Sequence, residues 1–171
     1  LKHFTAEETA SQKSGFKNQI EPGGIVTRLL IPIREFSPPA LAAVRFAIEF
    51  GKRSKAMLFF LFIDDPGGEN PRPENASEPK TRDAKLIQET IEALITCGRD
   101  HDGLQTEICH RSGDYIHEVR QFVREHHIAE IIVSLPDECE LSYEQAGKDI
   151  QLLLQMTHCR VLTVKPKTKG I

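Results

Sequence analysis

Arg34 closes the stretch Arg28–Arg34, RLLIPIR. Its planar guanidinium is suited to holding an anion through paired hydrogen bonds. What it can do depends on where that stretch ends. Leu29, Leu30, Ile31 and Ile33 leave no polar face, the pattern of a strand buried on both sides. Ser37-Pro38-Pro39 then reads as a helix start, with Ser37 as N-cap and Pro38 where a missing N–H costs nothing. A buried strand running into a capped helix ends at a crevice where open α/β sheets bind ligands. Arg34 therefore either anchors an anionic ligand or pairs with Asp137, Glu138 or a neighbouring carboxylate. The acids of the loop Pro136–Tyr143 favour the ion pair.

Other reactive side chains do not assemble into a recognisable centre. His110 and His117 flank a strand-to-helix turn beside Cys109, but no zinc-ligand spacing is present and strand neighbours point to opposite faces. These, with His126-His127, read as surface or capping histidines, and no metal is expected. Asp64-Asp65 at a strand end resembles a receiver's acidic pair, yet the next strand ends in His110-Arg111-Ser112 rather than a phospho-accepting Asp. Ser112, Ser134 and Ser142 lack the Gly-x-Ser-x-Gly elbow of a hydrolase. Cys97, Cys109, Cys139 and Cys159 form no C-x-x-C pair, so they read as reduced, mostly buried thiols. Enzymatic activity is not expected.

The elements that must position Arg34 follow from the apolar pattern. A first strand over about Val26–Arg34 leads to a helix over Pro38–Phe50, with Gly51 as its C-terminal cap. Ala56–Ile63 is a second doubly buried strand, stopped by Asp64-Asp65-Pro66-Gly67-Gly68. Glu69–Pro79 reads as a surface loop. A helix spans about Thr81–Cys97 with Leu86, Ile87, Thr90, Ile91, Leu94 and Ile95 as its stripe. Leu104–Ile108 alternates, as an edge strand does. Gly113-Asp114 opens a helix over Tyr115–His126 with Ile116, Val119, Phe122 and Val123 inward. Glu130–Leu135 is a third buried strand. Gln145–Thr157 is a helix with Ala146, Ile150, Leu153 and Leu154 on one face, and Arg160–Lys165 is the last strand.

The fold class is therefore α/β: an open parallel sheet of about five strands, Rossmann-like, with helices on both faces. The first, second and fourth strands are the most apolar and belong in the middle, which gives the order 3-2-1-4-5. Arg34 and Ser134 then face each other across the switch point. Leu1–Gly24 is a polar segment or linker ending in Glu21-Pro22-Gly23-Gly24. Residues 25–166 form the domain, and 167–171 are a basic tail. The formal net charge of -3 points to neither nucleic acid nor a membrane surface. The sequence contains no run of roughly 20 apolar residues and no signal-peptide pattern, so a cytoplasmic location is expected.

The stretch LLIPIREFS over Leu29–Ser37 resembles the "ILVPVDGS" opening of the universal stress protein (UspA-like) family, in-strand Pro32 included. Ala40–Gly51 is similar to that family's Ala-rich first helix, and Gly113-Asp114 with Ile116 to its "GDPAEAI" turn. Gly147 through Cys159-Arg160-Val161-Leu162-Thr163-Val164 resembles "GS…CPVLVV". The resemblance covers about Thr27–Pro166 and rests on the order and spacing of these pieces.

ATP-binding members carry G-x2-G-x9-G-[ST] after the fourth strand and an Asp at the end of the first. Carried over, the glycines fall on Ser134, Asp137 and Gly147, the hydroxyl on Lys148 and the Asp on Arg34; only Gly147 matches. Asp137, Glu138 and Glu140 place negative charge where phosphates would lie. A ligand in the crevice would meet Ile33, Arg34, Ile63, Ser134, Asp137, Gly147 and Lys148. The resemblance also implies a homodimer through the last strand, along Val161, Leu162, Thr163 and Val164; Leu1–Gly24 could cover that edge instead. Three readings follow. The first is a dimeric stress-response module that contacts a protein partner and holds no cofactor. The second is an ATP-binding stress protein in which Arg34 and Lys148 replace glycine amides. The third is the soluble domain of a longer chain, such as a transporter, with Leu1–Gly24 as the junction.

Overall fold

A computed structural model describes residues 26–35, 37–66, 85–86, 89–94, 103–138 and 142–167. Five strands carry the fold: β1 Arg28–Ile33, β2 Met57–Asp64, β3 Gln105–Ser112, β4 Glu130–Ser134 and β5 Arg160–Val164. They are all parallel, in the order β3-β2-β1-β4-β5. Three helices connect them: α1 Pro38–Ser54, α2 Tyr115–His126 and α3 Ser142–Met156. Residues 85–86 and 89–94 are helical as well. The expected loop Glu69–Pro79, the segment Leu1–Gly24 and most of the expected helix Thr81–Cys97 lie outside the described residues.

Strand alternation divides the core into two halves. Leu29, Ile31 and Ile33 of β1 join Leu58 and Phe60 of β2 under α1 and Ile91. Leu30 of β1 joins Phe59, Leu61 and Ile63 of β2 under Val119 and Phe122 of α2 and Leu153 of α3. Helices therefore cover both faces, as right-handed crossovers in this strand order require.

Several boundaries differ from expectation for identifiable reasons. Helix α1 does not stop at Gly51. It continues to Ser54, and Lys55 in the left-handed conformation (φ 53°) closes it through its N–H to the Gly51 carbonyl. Gly51 is instead a contact point: a Cβ there would come within 2.9 Å of Leu104 and 3.0 Å of Leu58. Its missing side chain lets α1 approach the sheet. Leu86 and Leu154, expected inward, are exposed, the latter by 54%. On α3 the buried polar residue is Asp149, four residues before buried Leu153.

Pro32 lies in a central strand, where a missing N–H would normally break a ladder. The carbonyl of Arg28 faces β4, where it accepts from Ala129 N at 3.0 Å. Backbone groups alternate sides along a strand, so the nitrogen of Pro32 also faces β4. The β1–β4 pairing covers only Leu29 and Leu30, whereas β1–β2 pairing continues through Ile33. The proline thus falls where pairing with β4 has already ended, at the C-terminal mouth between the two strands.

Candidate functional site

The mouth between β1 and β4 is the topological switch point, because β1 continues to β2 on one side and β4 to β5 on the other. Arg34 is the first residue after β1. Its Nη1 lies 3.2 Å from Oδ2 of Asp149 on α3. Its guanidinium carbon sits 4.1 Å from the ring centroid of Tyr115, the first residue of α2. Gln145, one turn before Asp149, donates its Nε2 to Oδ1 at 3.0 Å. One arginine thus ties β1 to the helices of the opposite layer.

The electrostatics follow from burial. The Asp149 side chain is only 12% exposed, against 35% for Arg34. Burial pushes the Asp149 carboxyl above its ordinary value, and Arg34 and Gln145 pull it back only in part. Burial also pushes the Tyr115 hydroxyl well above its usual range. A guanidinium stacked on a ring and paired with a carboxylate is a satisfied cation.

The other expected residues distribute unevenly around this pair. Ile33 and Ile63 are buried, one in each half of the core. Ser134 ends β4 and is half-buried. Asp137 is half-buried in the following loop. The neighbouring Glu138 pairs with Lys165 at 3.5 Å, not with Arg34. Lys148 is exposed on α3 and pairs with Glu144 at 3.2 Å, one turn back. Gly147 has nothing within 4 Å of where a Cβ would stand. The sequence therefore anticipated an ion pair of Arg34 with Asp137, Glu138 or a neighbouring carboxylate; the carboxylate is Asp149, a neighbour the sequence did not single out. Asp149 and Tyr115 were missed because each reads as an ordinary helix residue. The available signal was an acid four positions before core residue Leu153, on the buried stripe.

Elsewhere the reactive side chains serve packing. His110 stacks on Phe62 with centroids 5.1 Å apart. Asp114 caps α2 by accepting from His117 N at 2.8 Å. Arg111 pairs with Glu118 at 3.5 Å and with Glu125. Cys159 is buried and donates to the Ile128 carbonyl at 3.1 Å, while Cys109 is half-buried. No group of three or more His, Cys, Asp or Glu among the described residues is placed to hold a metal ion. No described helix is long and apolar enough to cross a membrane. The edge strand β5 pairs with β4 along its whole length, with Val161, Leu162 and Val164 half-buried and Thr163 exposed.

The same fold is found in solved structures. UspA from Lactobacillus plantarum is 17% identical, with a TM-score of 0.59 over 83% of this chain and 99% of that one. A universal stress protein from Archaeoglobus fulgidus in complex with dAMP is 16% identical, with a TM-score of 0.55 over 83% of this chain and 100% of that one. A universal stress protein in complex with cAMP is 13% identical, with a TM-score of 0.59 over 82% of this chain and 97% of that one. At these identities the likeness is one of fold. None of the curated proteins matches the sequence. The model of the universal stress protein family matches residues 26–165, from just before β1 to just after β5. The chain belongs to the universal stress protein family.

Proposed function

We propose that this protein is a non-enzymatic stress-response module, dimeric through β5, that acts by contacting a protein partner and does not use its family's usual ATP site. The observation that carries this reading is the Arg34–Asp149 pair at the switch point. Where ATP-binding relatives have an Asp at the end of the first strand, this chain places a cation already matched by a carboxylate from α3. The phosphate side fits no better. Asp137 and Glu138 stand in the loop where glycine amides would approach phosphates, and carboxylates repel them. Lys148 is directed to Glu144 on the surface.

A second reading has its own support. Structural relatives have been solved with cAMP and with dAMP, and Arg34 remains 35% exposed. In that reading Arg34 exchanges Asp149 for a nucleotide phosphate. The experiment that separates the two is direct: purify the protein without added nucleotide, denature it, assay released adenine nucleotides, then titrate ATP-Mg by calorimetry. No released nucleotide and no heat are expected. Stoichiometric nucleotide would overturn the first reading, and its loss in Arg34→Ala together with Lys148→Ala would establish the second.

A further inference from the structure

At the end of the sheet opposite Arg34 lies a groove of about 460 Å³, formed where α2 and α3 both end and the chain enters β4 and β5. Val123 and Ile128 give it an apolar floor that Met156 extends to the rim. Arg120, Arg124, His127 and His158 line its walls, and no carboxylate does.

Positive charge near a helix C-terminus is favoured by the helix dipole, which accounts for Arg124. It does not account for the hollow or for the lack of partners. Arg34, Arg111 and Arg160 each meet a carboxylate; Arg120 and Arg124, like the isolated Arg45 and Arg53, have none among the described residues, but Arg120 and Arg124 share one hollow. They stand four apart on one helix, where like charges repel unless something neutralises them. The helix ends do not fill that role. The Val123 carbonyl accepts from the N–H of His127, and the Leu153 carbonyl accepts from Thr157 N at 3.0 Å and from its hydroxyl at 2.7 Å. The apolar surface also continues outward, since Leu152 and Met156, one turn apart on α3, are each 40% exposed.

We propose that this groove binds an amphipathic anion, a small molecule with a phosphate or carboxylate head and an apolar body. The head sits between Arg120 and Arg124, and the body lies on Val123, Ile128 and Met156. The volume falls within the range of small-molecule sites. The site is separate from the switch point, so its test is independent of the nucleotide question.

The test uses the whole chain and decyl phosphate below its micelle concentration, titrated by calorimetry. Decyl phosphate is expected to bind, with inorganic phosphate and the uncharged decyl maltoside each at least about tenfold weaker. The exposed pair R120E/R124E is expected to lose at least about tenfold in affinity with an unchanged melting temperature. Met156→Gln, uncharged and of similar size, tests the apolar contact separately and is expected to weaken decyl phosphate while leaving inorganic phosphate unaffected. Co-sedimentation with phosphatidylcholine vesicles containing phosphatidylglycerol, lost in R120E/R124E, would support the site and identify a membrane headgroup as the source. Binding of decyl phosphate without co-sedimentation would support it with a free anion as ligand. No binding of decyl phosphate, or equal binding by R120E/R124E, would overturn the proposal.

Discussion

The guanidinium of Arg34 donates to the carboxylate of Asp149 at 3.2 Å, joining the end of β1 to the middle of α3. The two partners are unequally buried, with 35% of the Arg34 side chain exposed against 12% of Asp149. That inequality decides what each residue does when the other is removed.

Arg34→Ala leaves a buried carboxylate with only Gln145 as hydrogen-bond partner among the described residues. Breaking a fully buried pair costs about 3–5 kcal/mol, and the exposure of Arg34 lowers the expectation to about 2 kcal/mol. Asp149→Asn keeps the shape and leaves an arginine that can reach water and still stack on Tyr115, so its cost is expected below about 1 kcal/mol. Urea unfolding of both variants at pH 7 checks the order. Equal losses would show that the unequal burial of the two partners does not set the cost.

The same carboxylate gives stability a pH dependence with a definite sign. Burial raises the Asp149 carboxyl above 3.8, so the folded state holds its proton more tightly than the unfolded chain does. This contribution is present at low pH and is lost as pH rises from 3.8 through the raised value. Glu125 has the opposite slope: hydrogen bonds from Arg111 and Gln121 hold its carboxyl below the usual range, and that contribution is lost as pH falls. Carbon-detected titration of the side-chain carboxyls should place the Asp149 midpoint above 3.8 and that of Glu125 below 4.5. Asp149→Asn should flatten the first dependence only.

Two helical glycines should respond in opposite ways to alanine. At Gly147 the space is open, so Ala should add about 0.5–1 kcal/mol through helix propensity alone. At Gly51 a Cβ meets methyls of Leu104 at 2.9 Å and of fully buried Leu58 at 3.0 Å. Overpacking there costs about 1–3 kcal/mol against the same propensity gain, so a net loss near 1 kcal/mol is expected. Thermal melts of both variants decide it. A stabilised Gly51→Ala would mean that α1 can lift off the sheet without cost.

The particular residues explain what was legible in the sequence. Strand order could be read because burial on both faces removes polar residues, and β1, β2 and β4 have few inward polar positions. Caps could be read because Ser37 and Asp114 act on their own helices. Gly51 was misread because a glycine after an apolar run has two uses, ending a helix or letting it approach a sheet, and only the position of β2 and β3 distinguishes them. The partner of Arg34 could be read only as a carboxylate, not as Asp149, for a similar reason. Loop acids near in topology are visible in a sequence, whereas Asp149 meets Arg34 only once α3 is laid across the sheet.

The two described cysteines should be slow to alkylate for different reasons. Cys159 is buried, and burial raises its thiol pKa. Cys109 is half-buried, and burial together with Glu107 pushes its thiol up to about 11. The thiolate is the reactive form, so the rate at Cys109 should climb steadily between pH 8 and pH 10, roughly tenfold per unit. Cys159 should react only on unfolding. Peptide mass spectrometry after timed iodoacetamide treatment reads both sites, and a Cys109 rate independent of pH would contradict the raised value.

Pairing through β5 can be tested without disturbing the protomer. The Val164 carbonyl accepts from Leu135 N at 2.9 Å, and the N–H of Arg160 donates to Ala129 at 3.2 Å. Even-numbered residues of β5 therefore turn their backbone toward β4, and Val161 and Thr163 turn theirs to the open edge. Thr163 is exposed, so Thr163→Pro removes an outward donor and spares the ladder to β4. Sedimentation velocity is expected to show a dimer for the parent and a monomer for Thr163→Pro, with little change in the melting of the protomer. A parent that sediments as a monomer at all concentrations would remove the dimer from the proposed function. A Thr163→Pro protein that remains dimeric would place the interface away from the β5 edge.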